Sequence, residues 1–437
     1  CLADDMGLGK TLQTITTISA YNKNGPCLVI APTSVCYNWE AECHKFCSDL
    51  NTVLFNTANK HQLLENLDNN QVVICSYGLM QNNIDDLSKI KWSLVVLDEA
   101  QSIKNAATKR SKAVMKLDAE NKIALTGTPI ENHLGELWSI FRFLNNGLLG
   151  SVESFRKRFL NPITVDKDLN ALNALKNLIK PFVLRRLKDD VLKDLPEKTD
   201  QTIFIEQSSD EANFYQAVCS NAIQNVQKIM PEVVQKGQKK FNILAEIMKL
   251  RRACCHSSLV NTEINIESSK LKYLERLIND LKENNHKVLV FSQFVSYLKI
   301  VKELFESNEI KYEYLDGSTK PVDRKTRINN FQNGNADVFL LSLKAGGTGL
   351  NLTKANYVIH LDPWWNPAVE NQASDRAHRF GQTQKVTIYR LIMKNTIEEK
   401  IVEFHEEKKH LSKELLDDSK MVASLSEEQL LDLIKIN

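Results

Sequence analysis

Four short apolar runs early in the chain, residues 27–31, 72–75, 94–97 and 123–126, contain no polar alternation and are separated by helix-length stretches. A strand with one wet face alternates apolar and polar residues, so continuous runs demand a sheet covered on both faces, as parallel sheets are. A second series follows at 287–291, 312–315, 338–341, 357–361 and 386–391, again with amphipathic stretches between. The expectation is an α/β fold of two parallel-sheet lobes in tandem. The length of 437 residues suits two or three compact units. Between the two series, residues 147–266 are helical in pattern, charge-rich and broken by Pro162, Pro181, Pro196 and Pro231. This divides the chain into a first lobe over 1–205 with a helical insertion at about 147–198, a helical protrusion and connection over 206–266, a second lobe over 267–395, and a brace helix with a tail over 396–437. The brace is expected over 397–416, from the spacing of Ile397, Ile401, Phe404 and Leu411.

Charge does not announce a polyanion binder, because 56 Lys and Arg face 54 Asp and Glu, for a formal net charge of +2. Any basic surface must be local, at Arg185, Arg186 and Lys188, at Lys236, Lys239 and Lys240, or at Lys249, Arg251 and Arg252. Each of these is more often just a solvated face. With 43% apolar residues and no run near the ~18 that span a bilayer, no membrane partner is expected. The nine cysteines include Cys27 and Cys75 in apolar runs and the adjacent pair Cys254 and Cys255, without paired CxxC elements or zinc-like Cys/His spacing. Reduced, buried thiols in a reducing compartment are expected, with neither disulfides nor structural metal. The chain opens at Cys1 with only residues 1–3 ahead of a glycine loop, which reads as a fragment whose adenine-recognising residues lie upstream.

That loop is Gly7-Leu8-Gly9-Lys10-Thr11, and it runs into the apolar-periodic residues 12–18. Glycines let backbone N–H groups approach phosphate oxygens, the helix dipole favours the anion, Lys10 reaches the β/γ-phosphates and Thr11 holds Mg²⁺. Asp4 stands where a phosphate loop usually has Gly or Ala. Two βα units later, the strand 94–97 ends in Asp98-Glu99-Ala100-Gln101. Asp98 can take the Mg²⁺ and Glu99 can polarise the attacking water, although two acids after a strand also serve as a helix cap. Thr126, Gly127 and Thr128 follow the next strand at the same sheet edge and can relay the state of the γ-phosphate, or else form a turn. The expected ligands are ATP and Mg²⁺.

The second series carries Gln372 to Gln382, with Arg376 and Arg379 three apart and on one face if helical. Arginines delivered by a second lobe can stabilise the transferring phosphoryl group when the lobes close. Residues 342–351 leave a strand with Gly346, Gly347 and Gly349, whose amides can grip a nucleic-acid phosphate.

In order and spacing these segments resemble the Swi/Snf family of superfamily 2 ATPases over nearly the whole chain. The resemblance is carried by residues 4–13, by 31–35 with Trp39, by 98–101, 125–129, 290–294, 345–351 and 372–382, and by three further signatures: Leu184 to Lys188 with Leu195-Pro196, Tyr314 to Ser318, and Asp362-Pro363-Trp364-Trp365-Asn366-Pro367. Asp4 is what that family shows, whereas Cys255-His256-Ser257 departs from its usual His-Pro. The resemblance implies two RecA-like lobes facing each other across ATP, with helical insertions, moving along duplex DNA without parting its strands. It implies catalytic roles for Glu99, Arg376, Arg379 and Gln372, and DNA contacts from Ser34, Trp39, Thr348, Gly349 and Trp364, the aromatic ones reading equally as core. Double-stranded DNA and proteins bound to it are the implied partners of a monomeric motor. The compact insertions favour a bacterial, nucleoid-associated cytoplasmic protein over a nuclear one. A strand-separating helicase and a nucleotide-gated DNA clamp are the rival readings.

Overall fold

The computed structural model describes residues 1–56, 60–127, 134–228, 236–346, 350–412 and 427–434. It divides into two units, residues 1–194 and 195–437.

The first unit holds β1 Cys27–Ala31, β2 Asn51–Leu54, β3 Gln71–Ser76, β4 Lys91–Leu97 and β5 Asp118–Ala124, all parallel, in the order β2-β3-β1-β4-β5. The apolar runs split by parity, as the two-residue period of a strand requires. Val29, Ile74 and Val96 pack beneath Ile15, Ile18 and Trp39 on one face, while Leu28, Val73 and Val95 pack with Ile103, Val114 and Phe143 on the other. β2 has no counterpart among the expected strands, because it is a short edge strand that buries its side chains only partly and so lacks a continuous apolar run.

Residues 1–3 act as one more strand beyond β5. Leu2 bridges in parallel to both Leu125 and Leu184, donating from its amide to Ala124 O at 2.8 Å, while the Ala3 amide reaches Leu184 O at 2.7 Å. Helical pieces at Val152–Phe155, Arg156–Leu160, Asn161–Thr164 and Leu169–Ile179 surround a small core of Trp138, Phe141, Phe155, Phe159 and Leu175.

The second unit holds β6 Lys198–Ile205, β7 Val288–Ser292, β8 Tyr312–Leu315, β9 Val338–Ser342, β10 Tyr357–His360 and β11 Val386–Met393, parallel, in the order β6-β11-β10-β7-β9-β8. The boundary expected at residue 205 is corrected here. β6 pairs with β11 from Lys198↔Val386 to Ile205↔Met393, inside the second sheet. It too is an edge strand, largely exposed and polar in sequence, so it offered no apolar run to place it.

The helices Ser209–Lys228, Lys236–Cys255 and Ser269–Glu283 share one core with this sheet through Val218, Ile247, Leu250, Leu274 and Val290. The Ile397–Ser412 helix joins that core through Ile397 and Ile401, with Phe404 against it, and the Glu427–Ile434 helix through Leu430 and Ile434. The Leu411 side chain and residues 413–416 of the expected brace lie outside the described residues. At the unusual Cys255-His256-Ser257, the helix ends at Cys255 and the His256 side chain caps the next turn, accepting from the Ser258 amide. All nine thiols are free and seven of them are buried. Among the described residues no helix is long and apolar enough to cross a membrane.

Candidate nucleotide site

The strand made by residues 1–3 delivers the chain to the glycine loop, where Gly7 and Gly9 adopt φ +87° and +75°. Side chains rarely accept that left-handed backbone, so glycine is required for the turn. The Lys10–Tyr21 helix starts directly after it, with no acidic residue in its first turn. Its positive end favours an anion. The Lys10 amine donates to the loop's own carbonyls, Asp4 O at 2.7 Å and Asp5 O at 3.2 Å. Burial lowers its pKa, and the charges of Glu99, Asp98, Asp4 and Asp5 oppose that shift.

Asp4 is fully buried and serves as the loop's anchor. Arg186 donates to its carboxylate from Nε at 3.2 and 3.1 Å, from Nη2, and from its backbone amide at 2.9 Å. Burial raises the Asp4 pKa, but Arg186 more than offsets it and holds the carboxyl below its ordinary value. Arg186 Nη2 also donates to Gln13 Oε1 at 2.7 Å, and Gln13 Nε2 donates to Leu8 O at 3.0 Å and closes the ring at Asp4 Oδ2 at 3.5 Å. Arg186→Met should therefore lower stability by about 2–3 kcal/mol, the scale of charge-assisted hydrogen bonds lost at a buried acceptor. An unchanged melting midpoint would refute this account of the anchor.

The two acids sit at the end of β4. Asp98 Oδ2 accepts from Trp39 Nε1 at 2.8 Å, Oδ1 accepts from the Glu99 amide at 2.9 Å, and the Asp98 carbonyl accepts from Tyr77 at 2.9 Å. The expectation of Trp39 as a DNA contact is thereby corrected. Its ring is 0% exposed inside the core, and its one polar atom is spent on Asp98. Burial, then the neighbouring Glu99 charge, push Asp98 up to about 7, against the pull of Trp39, the Glu99 amide and Lys10. A carboxylate in that condition gains from an adjacent cation. Asp98 and Thr11 offer the hard oxygen donors that Mg²⁺ takes while drawing the rest of its shell from water and phosphate, so the residues fit the ion.

Glu99 occupies a left-handed backbone, φ +51°, an uncommon state for a residue with a Cβ. Its Oε2 accepts from Gln101 Nε2 at 2.6 Å, and Gln101 Oε1 accepts from Thr126 Oγ1 at 3.1 Å. Gln101 thus ties the acid to the neighbouring strand end, a role its place in the sequence did not disclose. The Ala100 amide donates to Leu125 O at 2.9 Å. Gly127 packs so closely on the glycine loop that a Cβ there would stand 2.8 Å from Met6. Thr128 lies outside the described residues. Gln101→Ala should cut turnover about 10- to 100-fold at constant ATP affinity, the scale expected for a misplaced catalytic group. Unaltered kcat would show that the bond to Glu99 is idle.

The model of the SNF2-related domain matches residues 1–259, more than half of the chain. The chain belongs to the SNF2-related family. A helicase conserved C-terminal domain matches residues 269–381 of this SNF2-related chain. The candidate ATP-dependent helicase/translocase YwqA of Bacillus subtilis is 40% identical, over 100% of this chain and 48% of its own length. An uncharacterized ATP-dependent helicase of Mycoplasma pneumoniae is 39% identical, over 99% of this chain and 42% of its own. The chain thus spans less than half the length of these relatives. The SWI2/SNF2 ATPase core of Sulfolobus solfataricus in complex with dsDNA is 35% identical, covering 100% of this chain and 92% of that one, with a TM-score of 0.47.

In the second unit of the SNF2-related chain, the Pro367–Ser374 helix ends before the two arginines. Arg376 and Arg379 lie in the turns that follow, not together on a helical face. Tertiary contacts divert the backbone: the Arg376 carbonyl accepts from the Leu352 amide at 3.1 Å, and Gln382 Nε2 gathers the carbonyls of Thr353, Ala355 and Ala377. Arg376 is buried, while half-buried Arg379 donates from Nη1 to Leu350 O at 3.1 Å. Gln372 is half-buried on the helix. Of the expected DNA contacts, Ser34 is half-buried in the first turn of the Thr33–Phe46 helix and Trp364 is half-buried under Arg251, while Thr348 and Gly349 lie outside the described residues.

Proposed function

We propose that this chain is the motor of a double-stranded DNA translocase, hydrolysing ATP to move along the duplex and displace proteins bound to it. The observation that carries the reading is the line Glu99–Gln101–Thr126 beside an Asp98 held by Trp39, at the sheet edge that follows a phosphate loop. In this reading Gly7, Leu8, Gly9, Lys10 and Thr11 bind the phosphates, with Thr11 and Asp98 as the Mg²⁺ ligands. When held there, the ion would supply neutralising charge to the phosphate oxygens. Glu99 aligns the attacking water, Gln101 fixes the carboxylate, and Thr126, Gly127 and Thr128 relay the state of the γ-phosphate. Arg376 and Arg379, with Gln372, add positive charge to the transferring group. Ser34, Thr348, Gly349 and Trp364 are assigned to the DNA backbone, and Trp39 is withdrawn from that set. A monomer in the bacterial cytoplasm, associated with the nucleoid, completes the reading, and two of the relatives are bacterial proteins.

The test is steady-state ATP hydrolysis alone and with duplex DNA, single-stranded DNA or duplex RNA, beside Lys10→Ala. Stimulation by duplex DNA that the substitution abolishes, together with triplex displacement and no strand displacement, is the expected result. Stimulation confined to single strands or RNA would replace the translocase with a strand-separating helicase, as the names of both relatives allow. DNA binding without turnover would replace it with a clamp.

A further inference from the structure

Just after β10, three consecutive residues, Leu361, Asp362 and Pro363, meet cations from helices far away in sequence. Lys270, on the Ser269–Glu283 helix, donates from Nζ to Leu361 O at 2.9 Å. Arg251, on the Lys236–Cys255 helix, donates from Nη2 to Pro363 O and stands 4.0 Å from an Asp362 carboxylate oxygen. Asp362 in turn accepts from Ser292 Oγ and, at 3.3 Å on both oxygens, from the Gln293 amide.

Arg251 is 1% exposed. Its guanidinium lies 5.4–5.7 Å from the ring centres of Phe294, Trp364 and Trp365. Three rings around one planar cation fix its plane as well as its place, which an apolar side chain of equal volume would not do. Burying such a cation costs several kcal/mol that ion pairing seldom returns in full, so stability alone gives little reason for it.

What the cation holds leads straight to the arginines. The amide of Trp364 donates to Glu370 Oε1 at 2.6 Å, and Arg390 Nε donates to the other oxygen of that carboxylate at 2.9 Å. Glu370 sits on the Pro367–Ser374 helix, capped by Asn366 and followed at once by Arg376 and Arg379. Trp364 is thus one of the points that hold that helix, beside Arg390 and the His360 contact with Ser374 Oγ at 2.8 Å, and Arg251 packs on the Trp364 ring and bonds the carbonyl just before it.

We propose that Arg251 is a positioning residue for ATP turnover, fixing the 362–364 turn and through it the heading of Arg376 and Arg379. The inference rests on the proposed role of those two arginines. If it holds, Arg251→Met should lower kcat for DNA-stimulated hydrolysis at least tenfold, with ATP KM and ADP affinity within twofold, because the phosphate loop lies in the other unit. Affinity for ADP with aluminium fluoride, which mimics the transferring group, should fall along with kcat.

Arg251→Met leaves Asp362 buried without its cation, so folding is controlled by the double variant Arg251→Met, Asp362→Asn. That variant should melt near the parent and still turn over at least tenfold more slowly. Recovery of kcat together with the melting temperature would overturn the proposal and make Arg251 structural only. Arg376→Ala and Arg379→Ala are measured alongside. Parental turnover in both would remove the proposal together with the reading beneath it, whereas lost turnover in them beside a fully active double variant would remove the proposal alone.

Discussion

Glu99→Gln is expected to reduce ATP turnover by about 10²–10⁴, the contribution of a positioned general base, while the protein still binds MgATP within about twofold of the parent. The argument is geometric. Glu99 makes its contact with Gln101 at 2.6 Å, and neither side chain donates to the glycine loop in any bond described above. Glutamine keeps the size and the backbone state of Glu99 but cannot take up a proton, so binding should survive and chemistry should not. In Glu99→Gln the bond from Gln101 also loses its charged acceptor, which reinforces the loss. Single-turnover hydrolysis beside equilibrium binding of a fluorescent ATP analogue separates the two effects. Parental kcat in this variant would take the role of base away from Glu99, and lost binding would make Glu99 part of the nucleotide pocket.

Lys270→Met is expected to destabilise the second unit by about 3–5 kcal/mol, the cost of leaving one member of a buried ion pair uncompensated. Lys270 and Glu398 are 0% and 1% exposed and meet at 2.7 and 2.9 Å. Glu398 also accepts from the Met393 amide at 3.0 Å, so the pair ties the Ser269–Glu283 helix, the end of β11 and the start of the Ile397–Ser412 helix at one point. Burial lowers the Lys270 pKa, but the Glu398 charge outweighs it and holds the amine above its ordinary value. Adding Glu398→Met to Lys270→Met should restore most of the stability, because an apolar pair of similar volume avoids the desolvation of two charges. Urea unfolding of the single and double variants gives the comparison, and a single variant that unfolds with the parent would dispose of the argument.

How much of this was legible in the sequence depended on burial. The central strands β1, β3, β4, β7, β9 and β10 are covered on both faces, and their apolar runs marked them directly. The edge strands β2 and β6 were missed because an exposed strand has no need of such a run. The glycine loop and the Asp98-Glu99 pair were visible as strings of suitable chemistry at suitable spacing. Their supports were not, because Trp39 and Asp98, Gln101 and Thr126, and Asp4 and Arg186 meet through space. The arginine pair shows the same limit from the other side. A spacing of three fits a helical face, but hydrogen bonds from Leu352 and Gln382 end the helix first.

Those through-space supports also set an order of assembly. Asp4 waits for Arg186, which lies 182 residues further along the chain. At ~5–20 residues per second on the ribosome, about 9–36 s separate the synthesis of the two. For that interval the loop lacks the cation that anchors Asp4, and Leu2 lacks Leu184, the later of its two neighbours. Nascent chains halted before Leu184 should therefore have no grip on ATP, and the grip should arrive abruptly once residues 184–188 have left the exit tunnel. The nucleotide loop is made 182 residues ahead of the arginine that sets it.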